Sequence, residues 1–233
     1  VHNSDKGTWK YYGDEEEPKL HTGWFEAVPS KELNSDDHEN GTTHWYYANS
    51  KGEITIPTAD GEVGVAKTID GKSYLFNSDG EMVTGLRILT YDGSKITNIS
   101  SEVDTADTVK NMNSDTMKLV YFESNGAAKT GTTTITLDGT SYTFSFKSNG
   151  SPRGVGETGI SDGYIYQNGL RLTADEDTKY GVVTYKNESY VVNEKGSIQK
   201  NKKNLKDADE TYYCTNAKGI LLHSSTEKCT TKH

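Results

Sequence analysis

Self-similarity constrains this chain more than any other feature, because a period of about 20–50 residues marks a repeat architecture in which each unit buries its apolar face against the next. The clearest copy runs from Thr68 to Gly85: a polar Asp70-Gly71 turn, the strand Tyr74-Leu75-Phe76, the tetrad Asn77-Ser78-Asp79-Gly80 and a closing Thr84-Gly85. A second copy repeats Asp138-Gly139, Tyr142-Thr143-Phe144 and Lys147-Ser148-Asn149-Gly150, with two residues inserted before the last turn. Looser copies run from Trp45-Tyr46-Tyr47 to Gly52, Tyr121-Phe122 to Gly126, Tyr164-Ile165-Tyr166 to Gly169, Tyr190-Val191-Val192 to Gly196 and Tyr212-Tyr213-Cys214 to Gly219. Trp9-Lys10-Tyr11-Tyr12 begins a divergent first copy. The closing glycines are separated by 28, 46, 24, 19, 27 and 23 residues, so the step of 46 spans about two units and holds an insertion.

Each copy has a direct physical translation. Tyr74 and Phe76 are two apart and therefore share one face of a strand, with Leu75 on the other. Gly at the end of each tetrad supplies the positive φ that a short reversal needs. A lone hairpin is marginal in water, so the units must stack and bury their rings against neighbours. No window sustains a helical apolar pattern; Val103 to Met112 comes nearest, and the acidic, Asn-rich segment 98–117 reads as an inserted loop.

Composition agrees. Only 32% of the residues are hydrophobic, yet 15 Tyr, 5 Phe and 3 Trp put 10% of the chain into rings, which disordered segments lack. The core is expected to be thin and aromatic. A net charge of −9, with Lys200-Asn201-Lys202-Lys203 as the one basic run, opposes nucleic acid as a partner. No stretch approaches about 18 apolar residues, so no membrane span is expected, and Val1-His2-Asn3-Ser4-Asp5 lacks the apolar region of a signal peptide.

At these residues the sequence resembles the cell-wall-binding repeat of choline-binding proteins of Gram-positive bacteria. It is similar also to repeats of glucan-binding domains and of the C-terminal region of large clostridial toxins. The likeness is close over 68–86, good over 120–150 and loose elsewhere. It implies an all-β solenoid of stacked β-hairpin repeats with loop insertions near 26–43 and 98–117. The implied segments are divergent N-terminal repeats over 1–60, well-matched repeats over 61–97, the inserted loop at 98–117, C-terminal repeats over 118–222 and a tail at 223–233.

The family's choline pocket takes a Trp from a Gly-Trp step and rings from a Trp-Tyr-Tyr run, because ring faces attract a quaternary ammonium. Gly23-Trp24 with Trp45-Tyr46-Tyr47 matches that pattern, and Trp9 with Tyr11 and Tyr12 is the candidate for a second pocket. Elsewhere Gly85-Leu86, Gly131-Thr132 and Gly154-Val155 replace the Gly-Trp step, which tilts most of the chain toward sugar ligands. The resemblance thus implies a non-catalytic, extracellular module at a bacterial cell surface that holds a repeating cell-wall polymer or glucan, with no cofactor. Choline on teichoic acid is the first alternative ligand, and a protein partner gripped by the insertions is the second.

The remaining chemistry-bearing residues read as structural. Histidines at 2, 21, 38, 44, 223 and 233 lack ligand spacing, and His38 and His44 fall in a polar loop, so no metal site is expected. Asp14-Glu15-Glu16-Glu17, Asp36-Asp37 and Asp175-Glu176-Asp177 lack the order of a calcium loop and read as solvated. Motifs for an activated serine, a zinc protease, a phosphate loop or a redox cysteine pair are missing, so no enzyme activity is expected. With only two cysteines, oxidation pairs Cys214 with Cys229, a staple that suits a secreted protein.

Overall fold

The computed structural model describes residues 8–13, 18–149 and 153–230, and the backbone of residues 2–3. The acidic run at 14–17 and the glycine at 150 lie outside the described residues. Two kinds of turn organise the chain. The first is a two-residue reversal with both central residues at positive φ, as in Asp70-Gly71 (49° and 76°) and Asp138-Gly139 (45° and 75°). Asp and Gly tolerate that conformation, whose twist matches the flanking strands. The second is the Asn-x-x-Gly tetrad. In it the Asn77 side-chain oxygen accepts from the backbone N–H of Asp79 and Glu81, at 3.0 and 2.8 Å, while the Gly80 N–H closes on the Asn77 carbonyl at 3.0 Å. Asn49, Asn193 and Asn216 repeat the arrangement with Glu53, Ser197 and Ile220. Asn recurs because its short amide oxygen satisfies two amide protons that the turn leaves without ladder partners.

The chain divides into two compact units, one made of residues 1–103, 113–130 and 148–155, the other of 104–112, 131–147 and 156–233. The first unit holds β1 (His2–Asn3), β2 (Trp9–Lys10), β3 (Gly23–Ala27), α1 (Ser35–Asn40), β4 (His44–Ala48), β5 (Gly64–Ile69), β6 (Lys72–Asn77), β7 (Gly85–Asp92), β8 (Lys95–Ile99) and β9 (Met117–Phe122). All pairings are antiparallel: β1 with β2, β3 with β4, and a five-stranded sheet ordered β6-β5-β8-β7-β9. Helix α1 lies at the tip of the β3–β4 hairpin, beyond the Ala27–His44 pair. The Asn34 side chain caps it and Gly41, at φ 69°, ends it. His38 therefore sits on α1 and His44 on β4, which corrects the polar loop expected for both: an Asn cap followed by acidic residues and a Gly stop suffices for six residues of helix.

The second unit holds α2 (Ala106–Asn111), β10 (Gly131–Leu137), β11 (Thr140–Phe146), β12 (Gly159–Ser161), β13 (Tyr164–Gln167), β14 (Leu170–Arg171), β15 (Tyr180–Tyr185), β16 (Glu188–Asn193), β17 (Leu205–Lys206), β18 (Tyr212–Thr215) and β19 (Leu221–Ser225). Its sheets are ordered β10-β11-β14-β13-β12, β15-β16 and β17-β18-β19. Helix α2 forms inside the segment expected as a loop. Thr105 caps it, Ala106 and Val109 bury one side, and the side chains of Gln167 and Asn168 donate to the carbonyls of Lys110 and Val109. A disulfide joins Cys214 on β18 to Cys229.

Successive hairpins are joined by one recurring backbone bond. The residue two places after a tetrad glycine donates to the preceding hairpin: Ile54 to the Trp9 carbonyl, Met82 to Trp45, Ala128 to Ser73 and Ile198 to Gly163, all at 2.8–2.9 Å. The fold is thus all-β, a series of stacked hairpin repeats within each unit, with Tyr74 and Tyr142 on strands β6 and β11. The cores are small and layered. Trp9, Phe25, Ala27, Tyr46, Ala48 and Ile54 form one; Leu75, Val83, Leu89, Ile96, Val120, Phe122 and Val155 form the next; Ile165, Ala174, Tyr190, Val192 and Ile198 form a third. Burying one such aliphatic or Phe side chain contributes about 1.5–3 kcal/mol, so each repeat is held by a handful of residues.

Candidate ligand-binding site

Register decides which rings face outward. Strands β3 and β4 pair Trp24 with Tyr47, Phe25 with Tyr46 and Glu26 with Trp45. Alternation then puts Trp24, Glu26, Trp45 and Tyr47 on one face and Phe25, His44 and Tyr46 on the other. On the inner face Phe25 stacks on Tyr46 at 5.6 Å and on Tyr11 at 4.9 Å. On the outer face Trp24 meets Tyr47 edge-on at 5.2 Å and Tyr74 of the next hairpin at 4.8 Å, and it approaches Phe76 at 5.8 Å. Trp45 is 45% exposed. Lys67, opposite Tyr74 across β5–β6, holds its ammonium 5.4 Å from the centre of the Tyr47 ring.

The six ring residues expected at a ligand site therefore part company. Trp24, Trp45 and Tyr47 share the outer face. Trp9 and Tyr46 are core residues, 9% and 1% exposed, and Tyr12 is an exposed ring 40% accessible. Tyr46 goes inside for a reason legible in the strand period: the middle member of Trp45-Tyr46-Tyr47 must point opposite to its neighbours. Tyr74 and Lys67 were missed as members of the face. Tyr74 shares a strand face with Phe76, and that pair alone gave no sign of which neighbour it would meet.

A second ring site lies wholly in the other unit. The guanidinium of Arg171 sits 3.8 Å above the Tyr164 ring and donates to the Tyr166 hydroxyl at 2.9 Å. Tyr142, Tyr164, Arg171, Glu176, Glu194 and Lys195 line a cavity of about 480 Å³ there. Ring faces beside charged and hydroxyl-bearing side chains suit a pyranose, whose apolar face stacks while its hydroxyls meet the rim. Because Arg171 already covers Tyr164, that ring face is closed to an outside cation.

No protein-family model and no curated protein sequence matches the chain. Solved structures do. CbpF, the choline binding protein F of Streptococcus pneumoniae, solved in complex with ipratropium, superposes with a TM-score of 0.53 and 18% identity over 96% of this chain and 58% of that one. The chain has the choline-binding-protein fold. It spans just over half of the CbpF structure that it matches. The modular autolysin LytC of the same species, in complex with a synthetic peptidoglycan ligand, aligns over 91% of this chain and 38% of its own, at 12% identity and a TM-score of 0.48. Alternansucrase in complex with isomaltononaose aligns over 95% of this chain and 15% of its own, at 17% identity and a TM-score of 0.26. The fold assignment rests on CbpF.

Proposed function

We propose that the chain is a non-catalytic binding module of a bacterial cell surface, which attaches to a repeating cell-wall polymer or glucan through aromatic faces on its hairpins. The observation that carries this reading is the face shared by Trp24, Trp45 and Tyr47, joined by Tyr74 of the next hairpin. Trp24 packs against Tyr47, Tyr74 and the buried Phe76, which fills the space between these rings, and the exposed Trp45 beside them offers an outward platform. A platform stacks on sugar faces, and several weak sites on one chain gain about 10²–10⁴ in avidity on one polymer. The cavity beside Tyr142, with Asp175, Glu176, Glu194 and Lys195 at its rim, supports a neutral sugar at a second point. A disulfide in the C-terminal sheet agrees with an oxidising compartment.

A quaternary ammonium such as choline is the second reading. The ring faces of Trp24, Trp45 and Tyr74 favour it, whereas the Lys67 ammonium already occupies one face of Tyr47. The two separate in one experiment, electrophoresis through gels loaded with purified wall or dextran, alongside a choline titration read by Trp fluorescence. The glycan reading expects retardation that weakens about three- to tenfold in Trp45→Ala, the loss of one stacking ring. Choline-induced fluorescence change without retardation would transfer the site to the second reading. Absence of both responses in the unaltered chain would overturn the assignment.

A further inference from the structure

One cluster of side chains lies apart from the ring faces. Asp37 from α1, His44 from β4 and Glu81 from the turn after β6 each offer one donor atom, and these atoms lie within 4.8 Å of one another. His44 Nε2 stands 2.9 Å from Asp37 Oδ2 and 3.6 Å from Glu81 Oε1. A tetrahedral zinc site with bonds of about 2.0–2.1 Å places its donors about 3.3 Å apart, so small movements complete the geometry. Two amides orient the carboxylates, Asn77 from behind and Asn34 at the facing oxygens themselves. Asn77 Nδ2 donates to Glu81 Oε2 at 2.9 Å, and this leaves Oε1 turned toward His44. Asn34 Nδ2 bridges Asp37 Oδ2 and Glu81 Oε1 at 2.8 and 3.0 Å, drawing together two anions that otherwise repel.

Two further features point to a ligand. Glu81 is buried, its side-chain hydrogen-bond donors are the neutral amides of Asn34 and Asn77, and the His44 ring stands 3.6 Å away, so a cation would add the full positive charge that these neighbours do not supply. The Tyr46 hydroxyl, on the same face of β4 as His44, is fully buried and has no hydrogen-bond partner among the described residues. Burial first, and then the negative charges of Glu81, Asp79 and Asp37, hold this phenol in its protonated form. A water bound to a metal would give that hydroxyl the partner it lacks. His44 and Glu81 also line a cavity of about 520 Å³, which supplies an entry path.

We propose that Asp37, His44 and Glu81 form a binding site for one divalent cation of the zinc class. One imidazole nitrogen with two carboxylate oxygens suits Zn²⁺, whereas Ca²⁺ takes six to eight oxygens. The cation takes over from the Asn34 amide the task of holding the carboxylates together. It ties the helix of the insertion to the strand that carries Trp45 and Tyr47 and to the turn of the following hairpin.

The test is calorimetric titration of the whole chain, stripped with a chelator, using Zn²⁺ alone, with melting followed in parallel. The expected result is one Zn²⁺ per chain and a melting temperature raised by at least about 5 °C at a hundredfold excess over Kd. Outer-sphere losses weaken metal sites about 10–100-fold, so Asp37→Asn, Glu81→Gln and His44→Gln should each weaken binding at least tenfold. His38→Gln, on the same helix, should leave it unchanged. Co²⁺ added to the unaltered chain should give visible absorption of a low-symmetry nitrogen–oxygen site, a readout that needs no variant to fold. Failure to bind Zn²⁺ up to about 1 mM, or binding that persists undiminished in folded His44→Gln, overturns the proposal.

Discussion

Replacing Tyr46 by Phe should stabilise the metal-free protein. The ring is 1% exposed, paired in register with Phe25 and stacked on it at 5.6 Å with an interplanar angle of 18°, and Phe keeps all of that. Only the hydroxyl is lost. It surrenders its water on folding and gains no partner among the described residues, a penalty of about 1–3 kcal/mol. The vacated space returns part of that as a small void, so a net gain of about 1 kcal/mol is expected. For a chain of this size the shift in melting temperature is about 2–4 °C. The sign with pH is also fixed. Burial first, then Glu81, raise the phenol above its ordinary range, so above about pH 10 the unfolded chain ionises Tyr46 while the folded chain does not. The unfolded state then binds fewer protons, and stability falls as pH rises. Phe removes that contribution, so the advantage of the variant should widen between about pH 9 and pH 11. Tyr213, pushed up to about 12 by burial and by its bond to Asp207, together with Tyr91, raised by burial, and Tyr190, raised by its bond to Glu188, keeps alkaline sensitivity in both proteins. Urea unfolding in EDTA, followed by Trp fluorescence, measures both effects. A variant less stable than the parent by about 1 kcal/mol at neutral pH would refute the reasoning, because the hydroxyl would then have had a good partner.

Two further substitutions test the joints of the second unit. A Cβ on Gly156 would meet the carbonyl oxygen of Asn168 at 2.6 Å and the Gly169 nitrogen at 2.8 Å, both backbone atoms, so Gly156→Ala should destabilise by about 1–3 kcal/mol in urea. A change within about 0.5 kcal/mol would mean that the strands part freely there. Cys214→Ala with Cys229→Ala opens a 15-residue loop and should lower stability by about 3 kcal/mol, with faster amide exchange across β17–β19. Equal exchange rates with and without the bond would contradict this.

The strands, both turn types and the repeat were legible because they rest on local rules: a period of two, Asp-Gly reversals and Asn-x-x-Gly tetrads. The helices were not. Six residues of α1 carry no buried residue, and α2 is fixed by contacts with Gln167 and Asn168, some sixty positions away. The ring face was half legible. Trp24 and Tyr47 stood out by type and spacing, but the arrival of Tyr74 depends on how two hairpins stack. The Asp37–His44–Glu81 cluster joins an insertion, a strand and a distant turn, and no spacing along the chain announces such a meeting.

The joint between hairpins is a main-chain hydrogen bond made two places after the glycines at 52, 80, 126 and 196. Peptide groups are common to every residue, so a joint of this kind does not record which side chains flank it. Lineages built this way can drift at nearly every position while the architecture persists, and they can grow or shrink by whole modules. An identity to CbpF as low as 18% within a shared fold is one that such a joint tolerates.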